Sequence, residues 1–190
     1  MMSLLKSTSM VLGALCLLAT GCISVTFPEP MPYNRKDLTS FPNEWHGIWS
    51  SHATGTDDTG EDELLVIFPD RLQGHEGDDL ILGKNCVLRR WGRRHVLSID
   101  LDDSSRKMIL VAQRRGNLLD VLSFDASQDG ALASWEDVLG NKRVTTLHKN
   151  DDSTDKVREV QLNPRSNCQF RKLVKHGSTD LVTYTRVASD

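Results

Sequence analysis

Several features that would place a protein quickly in a functional class are missing from this sequence. Only 6% of its 190 residues are aromatic, and its 23 lysines and arginines do not outnumber its 26 aspartates and glutamates, so the formal net charge is −3. Proteins that hold nucleic acid through phosphate contacts show the opposite balance. We therefore expect no nucleic-acid partner.

Familiar catalytic and metal-binding spacings are missing as well. The six histidines form neither a His-x-His nor a His-Glu-x-x-His pattern, and the chain has no Gly-x-Ser-x-Gly elbow and no phosphate-cradling glycine loop. The sequence thus predicts a protein without a metal, a cofactor or an enzymatic activity, although residues distant in sequence can converge on a site.

The N-terminal region has the composition of a signal peptide, which we assign to residues 1–21. Lys6 supplies one positive charge, and the apolar run over residues 10–19 is too short for a permanent transmembrane helix. No later stretch is apolar enough to span a membrane. The protein is therefore expected to be exported.

A cysteine follows this segment directly, in the stretch Leu18-Ala19-Thr20-Gly21-Cys22. The stretch resembles the lipobox of bacterial lipoproteins, which implies that the Cys22 thiol receives a diacylglycerol and that the chain is cut before it and acylated. The alternative is a chance Gly-Cys pair at the end of a cleaved secretory signal or of a single-pass anchor. Ile23 stands where enterobacterial lipoproteins retained at the inner membrane have Asp, which favours the outer membrane, facing the periplasm.

Two cysteines remain for the exported domain, because Cys16 lies in the signal and Cys22 carries the lipid. Cys86 and Cys168 would be in an oxidising compartment, and we predict a disulfide between them. The alternative is two separately buried thiols.

Residues 22–43 are predicted to be the lipidated cysteine and a tether, since prolines fix local dihedrals and remove amide donors. The four prolines are Pro28, Pro30, Pro32 and Pro42. The competing interpretation is an N-terminal arm packed on the domain through Phe27, Tyr33 and Phe41. Residues 44–190 suit a single domain with one core.

Apolar residues recur with period two in short blocks through most of residues 44–190, which predicts an all-β fold built as an antiparallel meander. Leu97, Ile99 and Leu101 share one strand face, so one face is expected to be buried. Residues 131–139 have helical spacing instead. Residues 153–162 fit a helix or a strand equally well, and residues 169–174 and 180–187 are predicted to form a final hairpin.

The first strand contains Gly47-Ile48-Trp49, which resembles the Gly-x-Trp signature of lipocalin and calycin barrels. The resemblance implies a closed lipocalin-like barrel in which Trp49 stacks on a basic side chain of the last strand, here Arg186. A different antiparallel barrel or a sandwich is the alternative.

Positive charge is concentrated at one predicted turn, where four arginines flank Trp91 and Gly92. They are Arg89, Arg90, Arg93 and Arg94. Guanidinium groups fit lipid headgroups, lipopolysaccharide phosphates and peptidoglycan carboxylates. The plainer alternative is a solvated turn that resists aggregation.

Two functions follow from these observations. The first is a non-enzymatic envelope lipoprotein that binds an apolar or amphipathic small molecule, which requires Leu97, Ile99, Leu110 and Leu122 to leave the barrel interior unfilled. The alternative is a protein–protein or cell-wall interaction module of the envelope, including inhibitors of wall-degrading enzymes. The sequence predicts neither the ligand nor the oligomeric state.

Overall fold

The structure is a computed structural model that describes residues 23–51, 63–74, 79–101, 105–148 and 157–187. The strands are β1 (Ser24–Thr26), β2 (Asp37–Leu38), β3 (Gly47–Ser51), β4 (Glu63–Ile67), β5 (Arg71–Gly74), β6 (Leu80–Ile81), β7 (Cys86–Trp91), β8 (Arg94–Asp100), β9 (Lys107–Arg115), β10 (Leu118–Phe124), β11 (Val144–His148), β12 (Val157–Leu162) and β13 (Thr179–Arg186). The helices are α1 (Ala131–Leu139) and α2 (Asn167–His176), with short 3-10 turns at Asn43–Trp45 and Asn141–Arg143.

Ten of these strands form one curled antiparallel sheet, in the order β2-β7-β8-β9-β10-β13-β3-β4-β5-β6. Strands β7 to β10 are a meander of consecutive hairpins, and β13 joins them to β3 by pairing with both β10 and β3. The sheet curls into a half-barrel. The predicted all-β, barrel-like meander with short helices is confirmed.

Both faces of the central strands are covered, whereas the sequence indicated one buried face. Val96, Ile109 and Val111 belong to a first hydrophobic cluster, together with the two helices. Leu97 and Ile99 point the other way, into a second cluster inside the curl. Alternating residues of β8 are therefore buried on both sides, and Ser98 is fully buried among them.

Helix α1 lies where its apolar spacing predicts it. Ala131, Trp135 and Leu139 are buried on one side of the helix. Gly140 ends it with φ 84°, a left-handed conformation that glycine adopts without strain. This prediction is confirmed.

Helix α2 corrects the predicted final hairpin, because residues 169–174 are helical. The Ser166 hydroxyl caps the helix by accepting from the Gln169 N–H at 3.2 Å. Phe170, Leu173 and Val174 then fall on one buried face at i, i+3 and i+4. Only β13 of the predicted hairpin exists, and it pairs with β10 and β3 instead.

The segment for which helix and strand were both open contains strand β12. It pairs in parallel with β1 and antiparallel with β11, giving a second sheet in the order β1-β12-β11. Val160 and Leu162 are fully buried in the first cluster. Burial of alternate residues thus settles the strand.

The N-terminal segment is packed onto the domain, and the tether prediction is wrong for residues 23–43. Phe27 and Met31 are fully buried, and Phe41 is almost so. The Phe27 N–H and C=O both bond to Lys107 at 2.8 Å, and the Met31 N–H donates to the Ser98 hydroxyl. Apolar burial outweighs the prolines' preference for solvated extended chain, so the competing arm interpretation is correct.

Candidate functional site

The turn between β7 and β8 carries the arginines that the sequence singled out. Gly92 has φ 64° at its tip, a conformation that a side chain would strain. Arg90, Arg93 and Arg94 are exposed around it. The tight turn holds three cationic side chains on one end of the sheet.

Arg89 does not belong to this exposed set. Its Nε donates to Asp37 Oδ1 at 2.7 Å, and its Nη1 donates to the carbonyls of Pro30 and Pro32 at 2.6 and 3.0 Å. Only 16% of its side chain is exposed. Arg89 therefore fastens the N-terminal segment to the sheet, and the predicted four-arginine patch is corrected to three.

Two further cations join the turn from the N-terminal segment. Arg35 and Lys36 are exposed and line a surface groove of about 510 Å³ with Leu38, Arg90 and Gly92. We call these five residues the basic groove. No acidic residue is among them, because the neighbouring Asp37 is turned to Arg89. Arg35 and Lys36 are visible in the sequence as an adjacent basic pair. Because residues 22–43 were predicted to be a tether, the sequence analysis did not place this pair beside the turn.

The remaining arginines of the turn have internal contacts. Arg94 lies over the Trp91 ring, 6.0 Å from its centroid, and donates to Gln113 Oε1 at 3.2 Å. Arg90 Nε donates to the Gly92 carbonyl at a long 3.3 Å. Such exposed contacts contribute little to stability.

His95 lies opposite Arg90 in the β7–β8 register. Its ring packs edge-on against Trp45, with 4.9 Å between centroids. Burial lowers the pKa of His95, Arg90 lowers it further, and Glu44 acts in the opposite direction. The positive charge of this region therefore comes from the arginines and lysine and not from the imidazole.

The predicted contact between Trp49 and Arg186 is confirmed. The two residues are paired across β3 and β13, and the guanidinium carbon lies 5.8 Å from the Trp49 ring centroid. Arg186 also donates to the His46 carbonyl at 2.8 Å. A Cβ on Gly47 would lie 3.3 Å from the guanidinium. The contact lies where β13 pairs with β3 in the interior of the sheet, and it is structural.

The predicted Cys86–Cys168 disulfide is not present, and both thiols are free. Cys86 is buried in the second cluster, whereas Cys168 is exposed on α2, whose apolar face packs into the first cluster. Burial, and then Asp100, raises the pKa of the Cys86 thiol to about 12. The sequence placed both cysteines in one compartment but carried no information on their separation.

The interior positions named for a small-molecule cavity are packed among other side chains. Leu97 and Ile99 are each 5% exposed in the second cluster, Leu110 packs against it, and Leu122 packs against the first cluster. Two surface grooves lie in the described part of the chain: the basic groove and a polar groove beside Tyr33 and Arg165. Both grooves are open to solvent.

The remaining predictions concern the N-terminal signal and lipid anchor, metal binding and membrane-spanning helices. Cys22 and residues 1–21 lie outside the described residues. Within the described ranges, no three His, Cys, Asp or Glu side chains are grouped so as to hold a metal ion. No helix in those same ranges is long and apolar enough to cross a membrane.

Comparison with known proteins adds no relative. No family model, no curated protein and no solved structure matches this chain. The lipobox and Gly-x-Trp resemblances therefore rest on their short motifs, and function has to be argued from the geometry of the molecule.

Proposed function

We propose that this chain is a lipid-anchored protein of the bacterial envelope, without catalytic activity, that binds anionic groups of the envelope through the basic groove. The observation that carries the proposal is the convergence of Arg35 and Lys36 with Arg90 on one groove that no acidic side chain lines. These cations come from segments more than fifty residues apart, so tertiary packing brings them together.

The chemistry of the groove fits phosphate or carboxylate oxygens. Guanidinium groups donate in a fixed fork to such oxygens, and an ammonium adds a mobile point charge. Leu38 and Gly92 leave the floor between the cations without a competing acceptor side chain. Lipopolysaccharide phosphates, anionic lipid headgroups and peptidoglycan carboxylates share this chemistry.

The anchor is part of the same proposal. Cys22 is the residue to be acylated, and β1 begins only two residues later, with Val25 already buried. Several acyl chains on one cysteine make attachment effectively permanent. Incorporation of a labelled fatty acid into the wild type, but not into Cys22→Ala, tests the anchor independently of the groove.

The packed interior of the sheet favours this proposal over the binding of an apolar small molecule. Leu97 and Ile99 pack with aromatic and aliphatic neighbours in the second cluster. A small-molecule function would need a lined cavity at these positions.

The groove is tested with the triple variant Arg35→Ser, Lys36→Ser, Arg90→Ser. Binding to purified peptidoglycan sacculi, to lipopolysaccharide and to vesicles containing anionic lipid is measured separately, at low and physiological salt. We expect roughly tenfold or greater loss on one of these surfaces, since three partly exposed contacts of about 0.5 to 1 kcal/mol each are removed. Wild-type binding should also weaken with salt.

A matched control removes the same number of charges elsewhere. Arg171, Lys172 and Lys175 are exposed on α2, and their replacement by Ser changes the net charge equally. Equal losses in both triple variants, or unchanged binding in the groove variant, would contradict the proposal.

A further inference from the structure

Three basic side chains lie on one face of neighbouring strands, beginning at Arg90 of the basic groove. Arg90 of β7 is paired with His95 of β8, and His95 is paired with Ala112 of β9. Residues two apart on a strand share a face, so Arg114 lies on the same face as Ala112. Arg90, His95 and Arg114 therefore form a row across β7, β8 and β9, which we call the basic row.

The basic row lies at the end of the face that carries the second hydrophobic cluster, to which Ala112 belongs. His95 packs edge-on against the buried Trp45. Arg114 is paired across the strands with the buried Leu119 of β10. The row therefore has apolar neighbours, beside which water screens a charge less than it does on an open surface.

Polar atoms of the row lack partners. Arg114 Nε and His95 Nδ1 are buried without a hydrogen-bond partner among the described residues. Arg114 also forms no ion pair with an acidic residue in those ranges, whereas the adjacent Arg115 donates to both carboxylate oxygens of Asp120. Native proteins satisfy nearly all buried polar atoms, and a guanidinium can only donate. These atoms therefore indicate a place for an acceptor from outside the chain.

Arg90 and His95 are close enough to interact. Burial, and then the charge of Arg90, lowers the pKa of His95. Glu44 acts on the ring in the opposite direction, but it is exposed and is bonded to neither arginine of the row within the described ranges. The positive charges on either side of the His95 ring are therefore not paired with a carboxylate there.

We propose that the basic row is a second anion subsite, and that the ligand of the basic groove carries two linked anionic groups, either phosphates or carboxylates. One group binds among Arg35, Lys36 and Arg90, and the other binds Arg114 with the His95 ring beside it. Two strand spacings, about 10 Å, separate β7 from β9, so a chain of several bonds joins the two groups. The inference rests on the proposed function, because Arg90 belongs to both the groove and the row.

The probes are hexane-1,6-diol bisphosphate and the monophosphate of the same diol, and isothermal titration calorimetry at low salt measures their affinities. We expect the wild type to bind the bisphosphate at least tenfold more tightly, because the second group is tethered once the first is bound. Suberate and its monomethyl ester form the corresponding carboxylate pair. An advantage of two groups over one in either pair identifies the chemistry, and no advantage in both pairs would overturn the proposal.

Arg114→Gln removes the charge of the second subsite, and Arg115→Gln is its matched control. Arg115 is the next residue of β9, so it lies on the opposite face, and it is exposed. We expect Arg114→Gln to abolish most of the two-group advantage with little change for the one-group probe, whereas Arg115→Gln retains it. Arg114→Lys keeps a charge and should retain part of it. An advantage that survives Arg114→Gln, in a variant whose urea unfolding is that of a folded protein, would overturn the second subsite.

The groove variant separates this inference from the proposed function. The triple variant Arg35→Ser, Lys36→Ser, Arg90→Ser should weaken the one-group and two-group probes alike. If it does so while Arg114→Gln leaves the two-group advantage unchanged, the groove stands and the second subsite is wrong. If the triple variant binds the one-group probes as tightly as the wild type, or if the wild type binds none of the four probes, the groove fails and this inference fails with it.

Discussion

His95 shows how the surroundings of one side chain set its chemistry. The ring is packed against Trp45, its Nδ1 has no hydrogen-bond partner among the residues that the structure describes, and Arg90 lies beside it. Burial is the largest cause of its lowered pKa, and the arginine adds to it. The folded protein therefore favours the neutral imidazole.

We predict that acid destabilises the protein through this residue. The unfolded chain binds a proton near the ordinary histidine pKa of 6.5, while the folded chain resists it down to a lower pH. The free energy of unfolding should therefore fall as pH drops below about 6.5, until the lowered pKa is reached. Urea unfolding at pH 7.5 and 5.5 measures this loss, which His95→Gln should reduce.

The exposed His176 on α2 provides the control. His176→Gln should leave the pH dependence of the wild type in place. A pH dependence identical in all three proteins would show that other groups cause it.

Arg89 and Arg90 show that the surroundings also decide the role of a charged side chain. They are neighbours in the sequence and identical in type, yet Arg89 is bonded to Asp37 and two carbonyls while Arg90 lines a groove. Alternation along β7 sends the two side chains to opposite faces. The sequence of the turn does not indicate which of these two faces the N-terminal segment covers.

At the scale of the secondary-structure elements, α2 is the element that was wrongly predicted, as a strand of the final hairpin. Residues 169–174 are short, and Val174 is β-branched, so a strand fits the local pattern as well as a helix does. The arrangement of Phe170 decides it, because its ring contacts both Trp91 and Phe27 at centroid distances of 5.2 and 6.2 Å. These partners come from distant segments.

We predict that Phe170→Ala lowers the free energy of unfolding by about 3 to 5 kcal/mol, the usual loss for a fully buried aromatic side chain. Urea unfolding followed by circular dichroism measures it. The adjacent Arg171 is exposed, and Arg171→Ala should change stability by less than about 0.5 kcal/mol. Similar effects for both variants would contradict the packing of α2 described here.

For the molecule as a whole, the central feature is one sheet with a hydrophobic cluster on each face. Strands β8 and β9 contribute alternate residues to both clusters. The N-terminal segment packs on the sheet, and β13 joins the meander to β3 by pairing with both β10 and β3. We therefore expect both clusters to open in a single cooperative transition.

The two free cysteines report on that transition. Cys168 is exposed and should react with iodoacetamide in the native protein, whereas buried Cys86, with its raised pKa, should react only when the whole domain unfolds. Peptide mass mapping without reductant, in buffer and then in increasing urea, separates the two. Equal native reactivity, or a peptide that links Cys86 to Cys168, would contradict the structure.

Local sequence patterns predicted α1 and most strands of the ten-stranded sheet, because alternation of period two, helical spacing and glycine turns depend on near neighbours. They did not predict β1 and β2, which lie in the segment expected to be a tether, and they left β12 open. The Trp49–Arg186 contact was also predicted, but only through a resemblance. The tertiary structure alone decided how distant segments lie relative to each other: it brings Arg35 and Lys36 to Arg90 and keeps Cys86 apart from Cys168. Each depends on where distant segments pack, and long-range packing leaves no local periodicity in the chain.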